Sequence, residues 1–212
     1  MRVVRVILLV IFFIGTPLSA QAERVVLFLG DSLTAGLGVE PEESYPQVLG
    51  AMLVRDGITD IRIVNGGISG STSASALARL KWYAKIHPAV LFLALGANDG
   101  LRGLTIEEME KNLTEVVTYA QAQGMSVILA GMELPPNYGD AYIGAFRKVY
   151  RDLAARYQIT LIPFLLEGVG GVATLNQADG IHPNAEGHRR IALQVYPVLK
   201  QHLLETNAAK KQ

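Results

Sequence analysis

Short, unbroken apolar runs alternate along this chain with longer stretches in which apolar residues return every three or four positions. The first pattern marks strands buried on both faces, and the second marks amphipathic helices. Val25 to Leu29 is a run of the first kind, halted by Gly30-Asp31-Ser32, with Gly36 and Gly38 behind to let the chain turn. Tyr45 to Arg55 has helical spacing and stops at Asp56-Gly57. Ile61 to Val64 is a β-branched strand that Asn65-Gly66-Gly67 ends. A small-residue stretch, Ile68 to Ser73, leads into a helix over about Ala74 to Ile86. His87-Pro88 closes that helix, because the residue before proline is pushed out of the α region.

Val90 to Leu95 is the most hydrophobic strand after the N-terminal segment, and it ends in Gly96-Ala97-Asn98-Asp99-Gly100. Thr105 with Glu108 three residues on reads as a capping box, opening a helix to about Gln123. The strand Ser126 to Ala130 follows, then the loop Gly131 to Gly139, a helix over about Ala141 to Tyr157 and the strand Ile159 to Pro163. A loop with Gly168, Gly170 and Gly171 precedes Asp179-Gly180-Ile181-His182-Pro183-Asn184 and a last helix over about Ala185 to Leu204. Strict alternation of strand and helix predicts a parallel sheet covered on both faces. The expected fold is a flavodoxin-like three-layer α/β/α sandwich around five parallel strands, with right-handed crossovers.

The N-terminus changes that picture only by subtraction. Arg2 and Arg5 precede the apolar run Val6 to Ile14, and Ala20-Gln21-Ala22 fits a small-x-small cleavage site. Residues 1–22 therefore read as a secretory signal peptide, too short in its apolar run for the ~20 residues that span a bilayer. The expected domain is 23–204, followed by a polar, frayed tail over 205–212. Cleavage leaves 17 basic against 19 acidic residues, a net charge of −2, which lacks the basic excess of a nucleic-acid footprint. The chain has no cysteine, so disulfides and a lipidated N-terminal cysteine are excluded. No metal cluster or cofactor motif is apparent, and with no apolar interface pattern the expected state is a monomer.

In open α/β sheets, chemistry collects beyond the carboxyl ends of the strands. Ser32 stands beyond the first strand, Gly70 beyond the second and Asn98 beyond the third; Asp179 and His182 share the loop before the last helix. Acyl transfer needs a nucleophile, a base, a group to orient the base and donors aimed at the oxyanion. Ser32 suits the nucleophile, His182 the general base and Asp179 its orienting carboxylate. The N–H groups of Ser32 and Gly70 and the amide of Asn98 suit the oxyanion hole. Each residue taken singly is better explained as a turn former, a cap or a surface histidine, and it is their joint placement at neighbouring strand ends that points to a site. Asp31 reads as support for the Ser32 turn, His87, His188 and His202 as structural or solvated, and Trp82 and Tyr83 as packing residues.

The blocks GDSLTAG, GGISGSTS, GAND and DGIHPN, in this order, resemble those of the GDSL or SGNH hydrolase family. LGANDGLRG and LPPNYG are further similar to its secreted bacterial thioesterase, lysophospholipase and arylesterase branch. The resemblance covers the chain after the signal segment. It implies Ser32, Asp179 and His182 as a triad, Ser32, Gly70 and Asn98 as oxyanion donors, and metal-free hydrolysis through an acyl-enzyme. It also implies a periplasmic location. Ser32 is set in a nucleophile turn, since GDSL lacks the G-x-S-x-G of the nucleophile elbow.

Leu101, Leu104, Leu134, Pro135 and Tyr138 are expected to wall an acyl groove, consistent with a small-molecule fatty acyl or aryl ester or thioester substrate. Alternatives are a carbohydrate O-acetyl esterase, a non-catalytic binding module on the same fold, or a nucleotide-binding flavodoxin-like protein. The last is weakened by the absence of a P-loop lysine or G-x-G-x-x-G around Gly66 to Ser73.

Overall fold

A computed structural model describes residues 23–209; residues 1–22, expected to be a signal peptide, lie outside them. Five strands form one parallel sheet: β1 (Arg24–Gly30), β2 (Ile61–Asn65), β3 (Val90–Ala94), β4 (Ser126–Ala130) and β5 (Thr160–Ile162). Their spatial order is β2-β1-β3-β4-β5. The α-helices are α1 (Ser32–Ala35), α2 (Tyr45–Arg55), α3 (Ala76–Tyr83), α4 (Ala97–Leu101), α5 (Ile106–Ala122), α6 (Asp140–Tyr157) and α7 (Ala185–Ala209).

The chain winds from β1 outward to β2, then reverses across β1 to β3 and onward. With right-handed crossovers, that reversal puts the helices of the two halves on opposite faces. Accordingly α2 packs against α7, while α3, α5 and α6 pack in succession. The reversal also opens a crevice between the ends of β1 and β3, the place where such sheets bind ligands. The register pairs Gly30 with Ala94, so Ser32 and Asn98 leave neighbouring strands at the same level.

β1 and β3 are apolar without alternation because both faces are covered; Val26 to Leu29 and Leu91 to Leu93 are fully buried. Phe28 stacks on Phe92 at 4.7 Å, and Tyr45 of α2 meets Phe28 edge-on at 5.8 Å. These contacts hold β1, the strand that leads to Ser32, at the centre of the core.

Three expectations are refined. The Asp31–Ser32 turn is the start of a one-turn helix. Thr105 sits at the N-terminus of α5, but the capping box is not made, since its side chain forms no capping bond. Burial of the stripe Met109, Leu113, Val116, Val117 and Ala120, with Glu107 and Glu108 at the positive end of the helix dipole, supports α5 instead. The last helix runs past Leu204 to Ala209, through part of what reads as a polar tail. Leu203 is buried there, and Thr206 Oγ1 donates back to the His202 carbonyl at 2.9 Å.

Candidate active site

Gly30 ends β1 because nothing larger fits: a Cβ there would lie 1.9 Å from Thr34 Oγ1. Asp31 caps α1, its Oδ1 accepting the Leu33 N–H at 3.0 Å. Ser32 is the first residue of that helix, so its N–H has no intrahelical acceptor. Thr34 meets Tyr45 Oη at 2.8 Å, which ties α1 to α2. Asp31 is 2% exposed, and burial pushes its carboxyl up to about 6 against the opposing pull of the Leu33 N–H.

The loop before α7 brings the other two members of the expected triad. Asp179 Oδ1 accepts the N–H groups of Ile181 at 2.9 Å and His182 at 3.0 Å, a turn that folds the loop back on itself. Its Oδ2 lies 2.6 Å from His182 Nδ1, and His182 Nε2 lies 2.9 Å from Ser32 Oγ. The carboxylate thus fixes the tautomer with the proton on Nδ1, leaving Nε2 to accept from Ser32. The His182 ring first, then the N–H groups of His182 and Ile181, hold the Asp179 carboxyl down at about 2. Gln177 Nε2 donates to the carbonyls of Leu37, at 2.6 Å, and Pro183, at 2.9 Å, fastening the loop of Asp179 and His182 to the segment after α1.

The loop after β2 passes over α1. Asn65 Nδ2 donates to the Thr34 carbonyl at 2.8 Å, and its Oδ1 accepts the Gly67 N–H at 2.9 Å. A Cβ on Gly67 would lie 2.2 Å from the Ala35 nitrogen, so the approach needs glycine. Arg79 Nη2 donates to the carbonyls of Gly30, at 2.9 Å, and Gly66, bracing the ends of β1 and β2. Further along, Gly70 has φ +75°, the left-handed conformation. Asn98 Nδ2 donates to the Ser71 carbonyl at 3.0 Å and lies 3.3 Å from Asp31 Oδ2.

Ser32, Asn98 and His182 open onto one cavity of about 210 Å³. Its apolar wall is Leu33, Ala97, Leu101, Met132, Leu166 and Ile181. Larger surface grooves of about 390 and 420 Å³ lie elsewhere, but neither holds the Ser–His pair, so chemistry rather than size marks the site. Of the expected groove residues, Leu101 lines the cavity. Leu134 is buried instead beneath Gly100, where a Cβ would come within 2.6 Å of its Cδ2. Pro135 is exposed, and Tyr138 Oη donates to the Leu101 carbonyl at 2.7 Å, bracing α4 from outside. Leu104 is exposed, its carbonyl accepting from Tyr142 Oη at 2.8 Å. Met132 and Leu166 were not anticipated, although both follow strand ends, the signal that located Ser32 and Asn98.

The remaining histidines lie away from this cavity. His188 Nδ1 accepts the Tyr45 N–H at 3.3 Å, and burial pushes the ring down to about 4. His202 is buried between Thr160 and Ser126, and His87 closes a helical turn with φ +50°. Trp82 is 63% exposed and meets the Tyr83 ring edge-on at 4.7 Å.

Residues 28–190 match the model of the GDSL-like lipase/acylhydrolase family. Esterase TesA of Pseudomonas aeruginosa is 44% identical over 84% of this chain and 89% of its own length. An arylesterase of Vibrio mimicus is 38% identical over 94% of this chain and all of its own. Thioesterase 1/protease 1/lysophospholipase L1 of Escherichia coli is 36% identical over 86% of each chain. A crystal structure of TesA superposes with a TM-score of 0.81 at 44% identity, covering 84% of this chain and 99% of that one. The four sequence blocks, the doubly wound sheet and these matches agree: the chain belongs to the GDSL-like lipase/acylhydrolase family of ester-bond hydrolases.

Proposed function

We propose that the chain hydrolyses acyl esters and thioesters through an acyl-enzyme on Ser32. The observation that carries this reading is the linear arrangement Asp179–His182–Ser32, at 2.6 and 2.9 Å, opening onto an apolar cavity. As Ser32 Oγ attacks the carbonyl carbon, His182 Nε2 takes its proton, and the Asp179 carboxylate stabilises the imidazolium. The carbonyl oxygen becomes an oxyanion facing the N–H groups of Ser32 and Gly70 and the Asn98 amide. One Asn98 hydrogen is committed to Ser71; the other points toward Asp31 at 3.3 Å, a long contact that an oxyanion replaces. Collapse returns the proton from His182 to the leaving alcohol or thiol. Water then repeats the cycle on the acyl-enzyme.

The walls of Leu33, Met132, Leu166 and Ile181 suit a fatty acyl chain better than a sugar, since they offer no hydrogen-bonding side chain. The decisive experiment compares wild type and Ser32→Ala on p-nitrophenyl butyrate and on an acyl-CoA with a thiol reagent. We expect turnover of both substrates by the wild type and a loss of at least about a thousandfold in the variant, with the melting temperature preserved. Equal rates in the two proteins end the serine mechanism. The same reading includes export, with residues 1–22 removed after Ala22. N-terminal sequencing of the periplasmic protein is expected to begin at Glu23.

A further inference from the structure

Asn98 has a neighbour whose chemistry the proposed reaction does not use. Asp99 is 3% exposed, and its carboxylate is spent on one partner residue in the loop that carries Gly70. Oδ2 accepts the Ser73 N–H at 2.9 Å, and Oδ1 accepts the Ser73 hydroxyl at 2.5 Å. Ser73, 1% exposed, also accepts Asn112 Nδ2 of α5 at 3.0 Å, which anchors the pair to a long helix. On either side, Asn98 holds the Ser71 carbonyl at 3.0 Å and Arg102 Nη2 holds the Gly70 carbonyl at 2.9 Å. Residues 98, 99 and 102 therefore grip residues 71, 73 and 70.

A buried carboxylate is costly to desolvate and is retained where strong hydrogen bonds offset the cost. Two bonds to a single serine, one to its backbone, fix the loop position and not merely its proximity. The loop needs fixing. Gly70 has the widest conformational freedom of any residue type and is exposed, so its N–H can swing unless both flanks are held. An oxyanion donor works by being in place before charge develops, and a misplacement of about 1 Å can cost a hundredfold in rate.

We infer that Asp99 and Ser73 are positioning residues of the oxyanion hole: their double hydrogen bond sets the Gly70 N–H against the Asn98 amide. The inference rests on the acyl-transfer reading of the site. Neither side chain lines the cavity, so substrate binding is left intact when they are changed.

The test measures Ser73→Ala and Asp99→Asn in the full-length protein, with three readouts on each: kcat and KM for p-nitrophenyl butyrate, the inhibition constant of butylboronic acid, and the affinity for butyrate. The boronate adduct on Ser32 is tetrahedral and calls on the oxyanion donors, whereas butyrate tests the acyl pocket. The expected result is a fall in kcat of about ten- to a hundredfold, and a matching loss of boronate affinity, with KM and butyrate affinity within twofold. A merely structural role lowers the melting temperature without selecting boronate over butyrate. That outcome, or a kcat within twofold of wild type in either folded variant, overturns the inference. If Ser73→Ala does not fold, the nearly isosteric Asp99→Asn decides alone, supported by Asn112→Ala with a smaller effect of the same sign. An inactive wild type or a fully active Ser32→Ala would instead remove the underlying reaction.

Discussion

The two edges of the sheet each hold a serine facing a histidine. Ser32, beyond the end of β1, and Ser126, the first residue of β4, both lie 2.9 Å from a histidine Nε2. At Ser32, the other ring nitrogen of His182 faces the Asp179 carboxylate at 2.6 Å. At Ser126, that of His202 faces the Thr160 hydroxyl at 3.0 Å. His182 opens onto an apolar cavity, while His202 is 9% exposed, and burial lowers its pKa. A Ser–His pair is therefore not a site in itself. Reactivity needs a negative charge behind the ring to hold an imidazolium and room in front for a carbonyl. His202 has hydroxyls on both ring nitrogens in place of a hydrogen-bonded carboxylate and is itself buried, and it serves as a bridge from α7 to β4 and β5.

The sharpest way to break this contrast is to remove what lies behind His182. Asp179→Ala is expected to lower kcat by about ten-thousandfold on a p-nitrophenyl ester, because the imidazole loses its tautomer and its counter-charge. Ser126→Ala in the same assay should stay within twofold of wild type; comparable losses in both would erase the distinction between the edges. Next in size is a stability effect running the other way. His202→Ala should lower the unfolding free energy by about 1–3 kcal/mol in a urea titration while kcat is retained, and His182→Ala should do the reverse.

Acid separates the regions by sign. His188, held at about 4 against an unfolded value of 6.5, takes up its proton more readily in the unfolded chain. Its stabilisation is complete above 6.5 and is lost as pH falls toward 4; His202 acts in the same direction. Asp31, raised from 3.8 to about 6, works oppositely: its contribution is full below 3.8 and is lost as pH rises through 6. Between about pH 4 and 6, stability should therefore rise more steeply with pH in Asp31→Asn than in wild type, and less steeply in His188→Gln, both read from melting temperature against pH. Parallel curves for the two variants would refute the assignment. Asp179, held at about 2, adds its own loss only below 3.8. The smallest expected effect is that of Thr160→Val, which removes one of the two hydroxyls on His202 and should cost about 0.5–1.5 kcal/mol with activity unchanged.

Much of the site was legible because a parallel sheet sends every strand end to the same edge. Once Val25 to Leu29, Ile61 to Val64 and Val90 to Leu95 are strands, Ser32, Gly70 and Asn98 must emerge together, and the Asp179–His182 spacing needs only a local turn. The cavity wall was not legible in the same way. Leu134 and Tyr138 look as suitable as Met132 and Leu166, but Gly100 lets Leu134 sink beneath α4 and leaves Met132 at the surface of the crevice. Thr105 shows the same limit, since the local capping pattern is present and burial of the α5 stripe supports the helix without it.

What the sequence determined by itself was the alternation of strand and helix and the placing of Ser32, Gly70 and Asn98 beyond strand ends and of Asp179 and His182 in one loop, because both follow from local pattern and chain direction. Only the tertiary structure decided which apolar residues face the crevice, and that Gln177, Arg79 and the Asp99–Ser73 pair hold its parts together. Those contacts join residues far apart in the chain, and nothing in local spacing records which buried hydrogen-bond donor will meet which acceptor. The two serine–histidine pairs make the point most directly. Their distances match, and only the surroundings assembled by the fold separate a candidate catalytic pair from a structural one.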